Sequence, residues 1–109
     1  MSIGLFRYNG DINDRNSEMT LSENISTQDF YEEHWETAIH ELGITIIQDG
    51  SEINYSQLEA AIDELALLKE WSIKNLVGND LEYMKGRIEN LQKVLPNAFI
   101  NEDTVLYIF

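Results

Sequence analysis

The pattern of hydrophobic and polar positions predicts a long helix from Ser56 to about Val77, around which the rest of the chain is organised. Its apolar residues form one wide stripe at helical spacing: Leu58, Ala61, Ile62, Leu65 and Leu68. A shorter stripe projects from roughly the opposite side: Ala60, Leu67 and Trp71. Because a helix that is apolar on two sides is normally covered on both, we expect this helix in the middle of the fold. Ser56 and Glu59 have the spacing of a capping box at its start.

Another helix is predicted earlier in the chain, from Thr27 to Leu42. Ser26 or Thr27 can cap its start, and Gly43 suits the position that follows a helix. The inner stripe of this helix is apolar: Tyr31, Trp35, Ala38, Ile39 and Leu42. The opposite face is polar and mostly acidic: Asp29, Glu32, Glu33, Glu36 and His40. We therefore expect the helix to pack on one side and to face solvent on the other.

A third helix is predicted after Gly78, a glycine suited to the end of the central helix. Asn79 and Asp80 can cap its start, and Pro96 is expected to stop it after about Leu95. Its apolar stripe is regular: Leu81, Met84, Ile88, Leu91 and Leu95.

Three short apolar runs predict β-strands, at residues 3–8, 44–48 and 104–109. The last run is apolar at nearly every position, so we expect it in the middle of the sheet. Residues 11–24 are polar apart from 19–21, and their pattern leaves open a loop or a short edge strand. The predicted order is β-α-β-α-α-β, an α+β fold in which three helices cover one face of a small β-sheet. No repeat or linker divides residues 1–109, which are predicted to be a single domain.

Composition narrows the class of protein. The chain has no cysteine, which excludes disulfides and thiolate metal sites and is typical of a reducing compartment. No apolar run approaches the roughly 20 residues that span a bilayer. No signal peptide is evident at the N-terminus, so a cytoplasmic protein is expected.

The charge is strongly acidic and unevenly distributed. Twenty acidic and seven basic residues give a net charge of −13. Fourteen of the acidic residues, but only two of the basic ones, lie at or before Glu64. Such a field repels nucleic acid and anionic membranes and attracts basic proteins. We therefore expect a basic protein partner, and neither nucleic acid nor membrane.

Candidate catalytic chemistry is sparse. One helix face carries three potential metal ligands: Glu33, Glu36 and His40. The other histidine, His34, is predicted to point away from them, so no metal site is expected. Glu41 and Glu64 have no sequence feature that brings them together as a catalytic pair. Because glycine-rich phosphate loops and nucleophile motifs are also absent, we expect neither an enzyme nor a cofactor.

The best candidate for a binding surface is the acidic side of the first helix with the turn that follows it. Its carboxylates repel one another by a few tenths of a kcal/mol per pair, and no lysine or arginine on that helix relieves the repulsion. A binding face tolerates this cost because a basic partner neutralises the charge, and complementary fields speed association. The predicted partner-binding residues are Asp29, Glu32, Glu33, Glu36, Asp49 and Glu52.

The segment INYSQLEAAIDELALLK, from Ile53 to Lys69, resembles small bacterial immunity proteins of polymorphic toxin systems. In those proteins a short step ending in Ser or Thr leads into a helix with a Glu-Leu-x-x-Leu/Ile-Lys type of run. The preceding helix, with Phe30, Trp35 and Gly43, and the opening Ile-Gly-Leu strand are similar too. The resemblance lies in the pattern of helix stripes, and it includes no catalytic signature.

The resemblance implies an immunity protein, or antitoxin, of a contact-dependent growth inhibition system. Such a protein binds its cognate toxin, which is often a nuclease with a basic cleft, and blocks the active site or a nearby surface. The alternative that the acidic charge supports is a DNA-mimic regulator of a nucleic-acid-binding host protein. Two questions stay open from the sequence: whether Trp71 lies in the core or anchors a partner, and whether the side with Leu67 and Trp71 forms a homodimer.

Overall fold

The computed structural model of the chain describes residues 2–10 and 13–109. It contains the strands β1 (Ser2–Tyr8), β2 (Met19–Thr27), β3 (Glu52–Asn54) and β4 (Val105–Ile108). Helix α1 consists of three continuous segments, Gln28–Phe30, Tyr31–Trp35 and Glu36–Leu42; α2 is Leu58–Asn75 and α3 is Gly78–Ala98. The predicted class is confirmed: the described residues form an α+β fold with three helices and one small sheet.

The four strands form one antiparallel sheet in the order β2-β1-β4-β3. Residues 104–109 were predicted to supply a central strand, and β4 does lie between two others. Alternate residues of the central strands, such as Leu5 and Leu106, are buried under the helices. The buried face of the sheet joins the apolar stripes of all three helices in a single core.

The number and place of the strands differ from the prediction. Residues 44–48, predicted as a strand, form a loop, whereas Glu52–Asn54 forms the short edge strand β3. The open question at residues 19–21 is answered by β2, a nine-residue edge strand. The order is therefore β-β-α-β-α-α-β, with one strand more than expected.

The loop of residues 44–48 is held by the carboxylate of Glu64 on α2. One carboxylate oxygen accepts hydrogen bonds from the backbone N–H groups of Ile46 and Ile47, both at 2.9 Å. The other accepts bonds from the backbone N–H of Thr45 at 3.0 Å and its hydroxyl at 3.3 Å. Because the side chain of Glu64 satisfies these backbone donors, the apolar loop is buried without pairing as a strand.

Helix α1 begins and ends where its sequence predicts. The hydroxyl of Thr27 accepts a hydrogen bond from the backbone N–H of Phe30 at 3.3 Å, and Gly43 follows the helix in the left-handed conformation, with φ of 71°. Tyr31–Trp35 is a π-helical turn, which closes with a bond from the N–H of Glu36 to the carbonyl of Tyr31. The predicted inner stripe is buried or partly buried, and the acidic residues opposite it are exposed.

Helix α2 starts through a different cap from the one predicted. A 3-10 turn, Tyr55–Gln57, precedes it, and the capping box is formed by Asn54 and Gln57. The backbone N–H of Asn54 donates to the Gln57 side chain at 2.9 Å. The predicted box of Ser56 and Glu59 is wrong by two residues, because the additional turn moves the start of hydrogen bonding toward β3.

The expectation that α2 is covered on both sides is also wrong. Ala60 lies on the surface, and Leu67 is 45% exposed. Trp71, in contrast, is buried, and its indole N–H donates to the carboxylate of Glu41 at 2.6 Å. Helix α1 thus covers only the C-terminal part of the second stripe, and Trp71 belongs to the core.

Pro96 does not stop α3, which continues through it to Ala98. A proline near the end of a helix removes only one backbone hydrogen bond, and other groups satisfy the last carbonyls. The Asn97 amide donates to the carbonyl of Lys93 at 3.1 Å, and the Arg7 guanidinium donates to the carbonyl of Ala98 at 2.7 Å. The predicted end at about Leu95 is therefore wrong by three residues.

We predict that Glu64→Ala lowers the free energy of unfolding by about 2–4 kcal/mol, since it leaves three backbone donors without their charged acceptor. Glu64→Gln should cost less, because its one remaining oxygen can still accept from Ile46 and Ile47. Urea unfolding followed by tryptophan fluorescence measures both. The control is Asp63→Ala, an exposed neighbour whose change should stay within about 0.5 kcal/mol. Equal stability of Glu64→Ala and the control would contradict this role of Glu64.

Candidate functional site

Four carboxylates lie on the solvent side of α1, where helical spacing predicted them. We call Asp29, Glu32, Glu33 and Glu36 the acidic helix face, and all four residues are exposed. Glu32 accepts a hydrogen bond from the Gln28 amide at 2.9 Å, and Glu33 approaches the His34 ring nitrogen at 3.9 Å. The carboxylates are thus placed by a helix whose other side is fixed in the core.

No lysine or arginine forms an ion pair with the acidic helix face within residues 2–10 and 13–109. Lysine forms two ion pairs in this range. Lys69 of α2 pairs with Glu89 of α3 at 3.2 Å, and Lys74 pairs with Glu70 within α2 at 2.8 Å. Five of the seven basic residues belong to these two helices. The charge of α1 is therefore not compensated locally, and its field extends into solvent.

An open groove separates the C-terminal half of α1 from the loop of residues 43–49. Tyr31, Glu36, His40 and Asp49 line it. The backbone N–H of Asp49 donates to the hydroxyl oxygen of Tyr31 at 2.8 Å, which fixes the end of the loop against the helix. Asp49 and Glu36, both predicted as binding residues, are thereby brought to the same groove.

Burial of the Tyr31 side chain raises the pKa of its phenol above 10.0. The hydrogen bond from Asp49 acts in the opposite direction, and the negative charges of Asp49 and Glu36 raise the pKa further. The Tyr31 phenol therefore keeps its proton at neutral pH, and its oxygen accepts the hydrogen bond that fixes the loop at Asp49.

Near the middle of α1, the structure adds one carboxylate that sequence reasoning missed. The His34 ring nitrogen lies 3.5 Å from a carboxylate oxygen of Asp80, at the start of α3. Glu33 and Asp80 thus approach the same imidazole from two helices. Aromatic contacts support this junction, because Phe30 packs on both His34 and Tyr83 with ring centroids 4.7 Å apart. No local pattern connects residues this far apart in sequence.

Glu52 does not join the acidic helix face. It is exposed on β3, directly opposite Tyr107 of β4, whereas its neighbour Ile53 is fully buried under the helices. Because side chains alternate along a strand, Glu52 points to the face of the sheet away from the helices. The six predicted binding residues are thus divided: five lie on or beside α1, and Glu52 lies on the opposite layer.

The carboxylates considered for catalysis accept structural hydrogen bonds, and the two histidines lie in different places. Glu41 accepts the bond from Trp71, and Glu64 holds the loop of residues 44–48. His34 lies at the junction with α3, while His40 lies in the groove. Within the part of the chain that the structure describes, no group of three or more histidine, aspartate or glutamate side chains is arranged so that it could hold a metal ion.

No described helix is both long and apolar enough to cross a membrane. Comparisons with protein-family models, curated proteins and solved structures find no match to this chain.

We predict that the contribution of Tyr31 to stability is lost at high pH. The folded chain keeps the phenol proton above pH 10.0, where the unfolded chain releases it, so the free energy of unfolding falls as pH rises through the raised pKa. Tyr31→Phe should cost about 1 kcal/mol at pH 8, and its difference from the parent should shrink above pH 10.

Urea unfolding at pH 8, 10 and 11 measures this difference, and Tyr55→Phe, which alters an exposed phenol, is the control. A gap between parent and Tyr31→Phe that is constant over this range would exclude the expected linkage.

Proposed function

We propose that this chain is a cytoplasmic immunity protein that binds and neutralises a basic toxin domain, such as a nuclease. The observation that carries the proposal is the acidic helix face, whose carboxylates are exposed and lack lysine or arginine partners within residues 2–10 and 13–109. The net charge of −13 reinforces it. The sequence resemblance to immunity proteins supports the same class of partner, and it rests on the helix stripes and not on the charge.

Inhibition in this proposal is binding without chemistry. A toxin that cleaves nucleic acid needs a cationic cleft for phosphates, and a row of carboxylates fixed on a helix can occupy the same positions. Glu36 and Asp49 extend the surface across the groove, and Asp80 extends it from the start of α3 beside His34. Because the helix is anchored by its buried side, little conformational entropy is lost when the partner binds.

The same charges favour rapid association. Uncompensated carboxylates attract a basic partner over about a Debye length, roughly 8–10 Å at physiological salt, and raise the association rate. A neutralising protein made in the same cell as its toxin benefits directly from rapid capture. A DNA-mimic regulator would share this field, but its partner would be a nucleic-acid-binding protein of the host chromosome.

We predict that the double variant Glu33→Lys/Glu36→Lys weakens binding to the cognate toxin by about tenfold or more at low salt. The dependence of affinity on salt should become shallower, since fewer attractive charges remain to be screened. Thermal stability should change little, because both side chains are exposed.

The matched control is Glu59→Lys/Asp63→Lys, which makes the same charge change on the exposed side of α2. Calorimetric titration at two salt concentrations separates the variants. If the control weakens binding as much as the α1 variant, only net charge matters, and the acidic helix face is not the interface.

The partner itself is identified by a tagged pull-down from the native cell, washed at low and then at high salt. The expected result is one basic protein encoded beside this chain, which kills cells that lack the chain and spares cells that express it. Recovery of a chromosomal DNA-binding protein instead would favour the DNA mimic, and the absence of any basic partner would contradict both.

A further inference from the structure

The face of the sheet that the helices leave uncovered carries a row of aromatic side chains. We call Phe6, Tyr8, Tyr107 and Phe109 the aromatic sheet face. The backbones of Gly4 and Phe109 exchange two hydrogen bonds, at 2.9 and 3.1 Å, so Phe109 continues the ladder of β4 beside β1. The residues that alternate with this row, such as Leu5 and Ile108, are buried in the core. The uncovered face of an antiparallel sheet is usually polar, whereas the two central strands of this sheet present aromatic rings there.

The rings form an ordered surface. Phe6 and Phe109 stack with centroids 4.5 Å apart and planes at 19°, while Tyr8 and Tyr107 meet edge to face at 6.2 Å. Gly4 contributes to the arrangement, since a Cβ at this position would lie 2.7 Å from the Phe6 ring. Phe109 is nevertheless 45% exposed, so the row retains accessible ring surface.

The charges around the row select its occupant. Glu52 lies directly opposite Tyr107 on the same face. The Arg7 guanidinium is held on the helix side by its bond to the end of α3, and the open cavity that it lines with Tyr8 and Tyr107 is also lined by the acidic Asp103. A second copy of the chain would bring another charge of −13 and a second Glu52 to the same surface, which disfavours self-association. Single-stranded nucleic acid could stack on the rings, but the same field repels its phosphates.

We propose that the aromatic sheet face binds an extended segment of a protein partner that combines arginine or lysine with apolar side chains. Cationic head groups fit the ring faces and the carboxylate of Glu52, and apolar side chains pack between the rings. The inference rests on the proposed function only in taking the natural partner to be a basic protein. It adds a second contact surface, on the sheet layer, to the acidic helix face.

The test uses a capped peptide of alternating arginine and leucine and a counterpart with neutral citrulline in place of arginine. Titration of the isotopically labelled chain, followed by amide chemical shifts in NMR, locates the binding. The arginine peptide should shift residues of β1 and β4, and the citrulline peptide should bind roughly fivefold more weakly or worse.

Two variants with matched controls test the surface directly. Phe109→Ser should weaken binding of the arginine peptide by about fivefold, whereas Val77→Ser, at an apolar residue 83% exposed elsewhere, should not. Glu52→Gln should weaken it more than Glu59→Gln. The spectrum of each variant without peptide shows whether it is folded, and an unfolded Phe109→Ser would leave Glu52→Gln as the test.

Several results would overturn the inference. Equal binding of the citrulline peptide would exclude a cationic occupant. If sedimentation experiments show a dimer, and its formation changes the amide chemical shifts of β1 and β4, the occupant is a second copy of the chain. Shifts of the same amides by a thymidine oligonucleotide would assign the face to nucleic acid. Chemical-shift changes confined to α1 would show that the peptide does not bind the aromatic sheet face, and they would not contradict the proposed function. The proposed function is contradicted separately, when the pull-down captures no basic toxin.

Discussion

The carboxylate of Glu64 determines the shape of the chain between its first and central helices. By accepting four hydrogen bonds from residues 45–47, it allows three buried isoleucines to enter the core in a loop that has no strand partner. Bonds to an ionised acceptor are stronger than those between neutral groups. The loop then ends at Asp49, whose N–H donates to the hydroxyl oxygen of Tyr31. The position of the groove between α1 and this loop therefore depends on Glu64 of α2.

The parts of the fold predictable from sequence are those fixed by local interactions. Residues within one helical turn of each other determine these features: the apolar stripes of α1 and α3, the cap at Thr27 and the turn at Gly43. Residues 44–48 could not be placed in the same way, because a buried loop and a buried strand share the same β-branched, apolar pattern. The interaction that decides between them joins residues 17 to 19 positions apart.

The exposure of the candidate binding residues was predictable from the sequence, but which of them lie together was not. Helical spacing places Glu33 and Glu36 on the solvent side of α1, where they lie. Glu52, only three residues after Asp49, is turned to the opposite layer because it belongs to a strand in which Ile53 faces the core. The apolar run of residues 104–109 predicted a central strand, and β4 takes that position. Its outward residues Tyr107 and Phe109 belong to the aromatic sheet face, which no sequence pattern indicated.

The two surfaces meet at one edge of the molecule. Asp49 ends the groove beside α1, and Glu52 begins β3; the backbone between them is bonded to β4, with Gly50 and Ser51 both joined to Ile108. This short connection is a fixed corner from the helix layer to the sheet layer. Most of the basic residues lie on α2 and α3, so the electrostatic field favours approach of the proposed basic partner toward α1 rather than toward those helices. In our proposal, the partner that binds the acidic helix face follows this corner around the β3 edge to Glu52 and the aromatic rings.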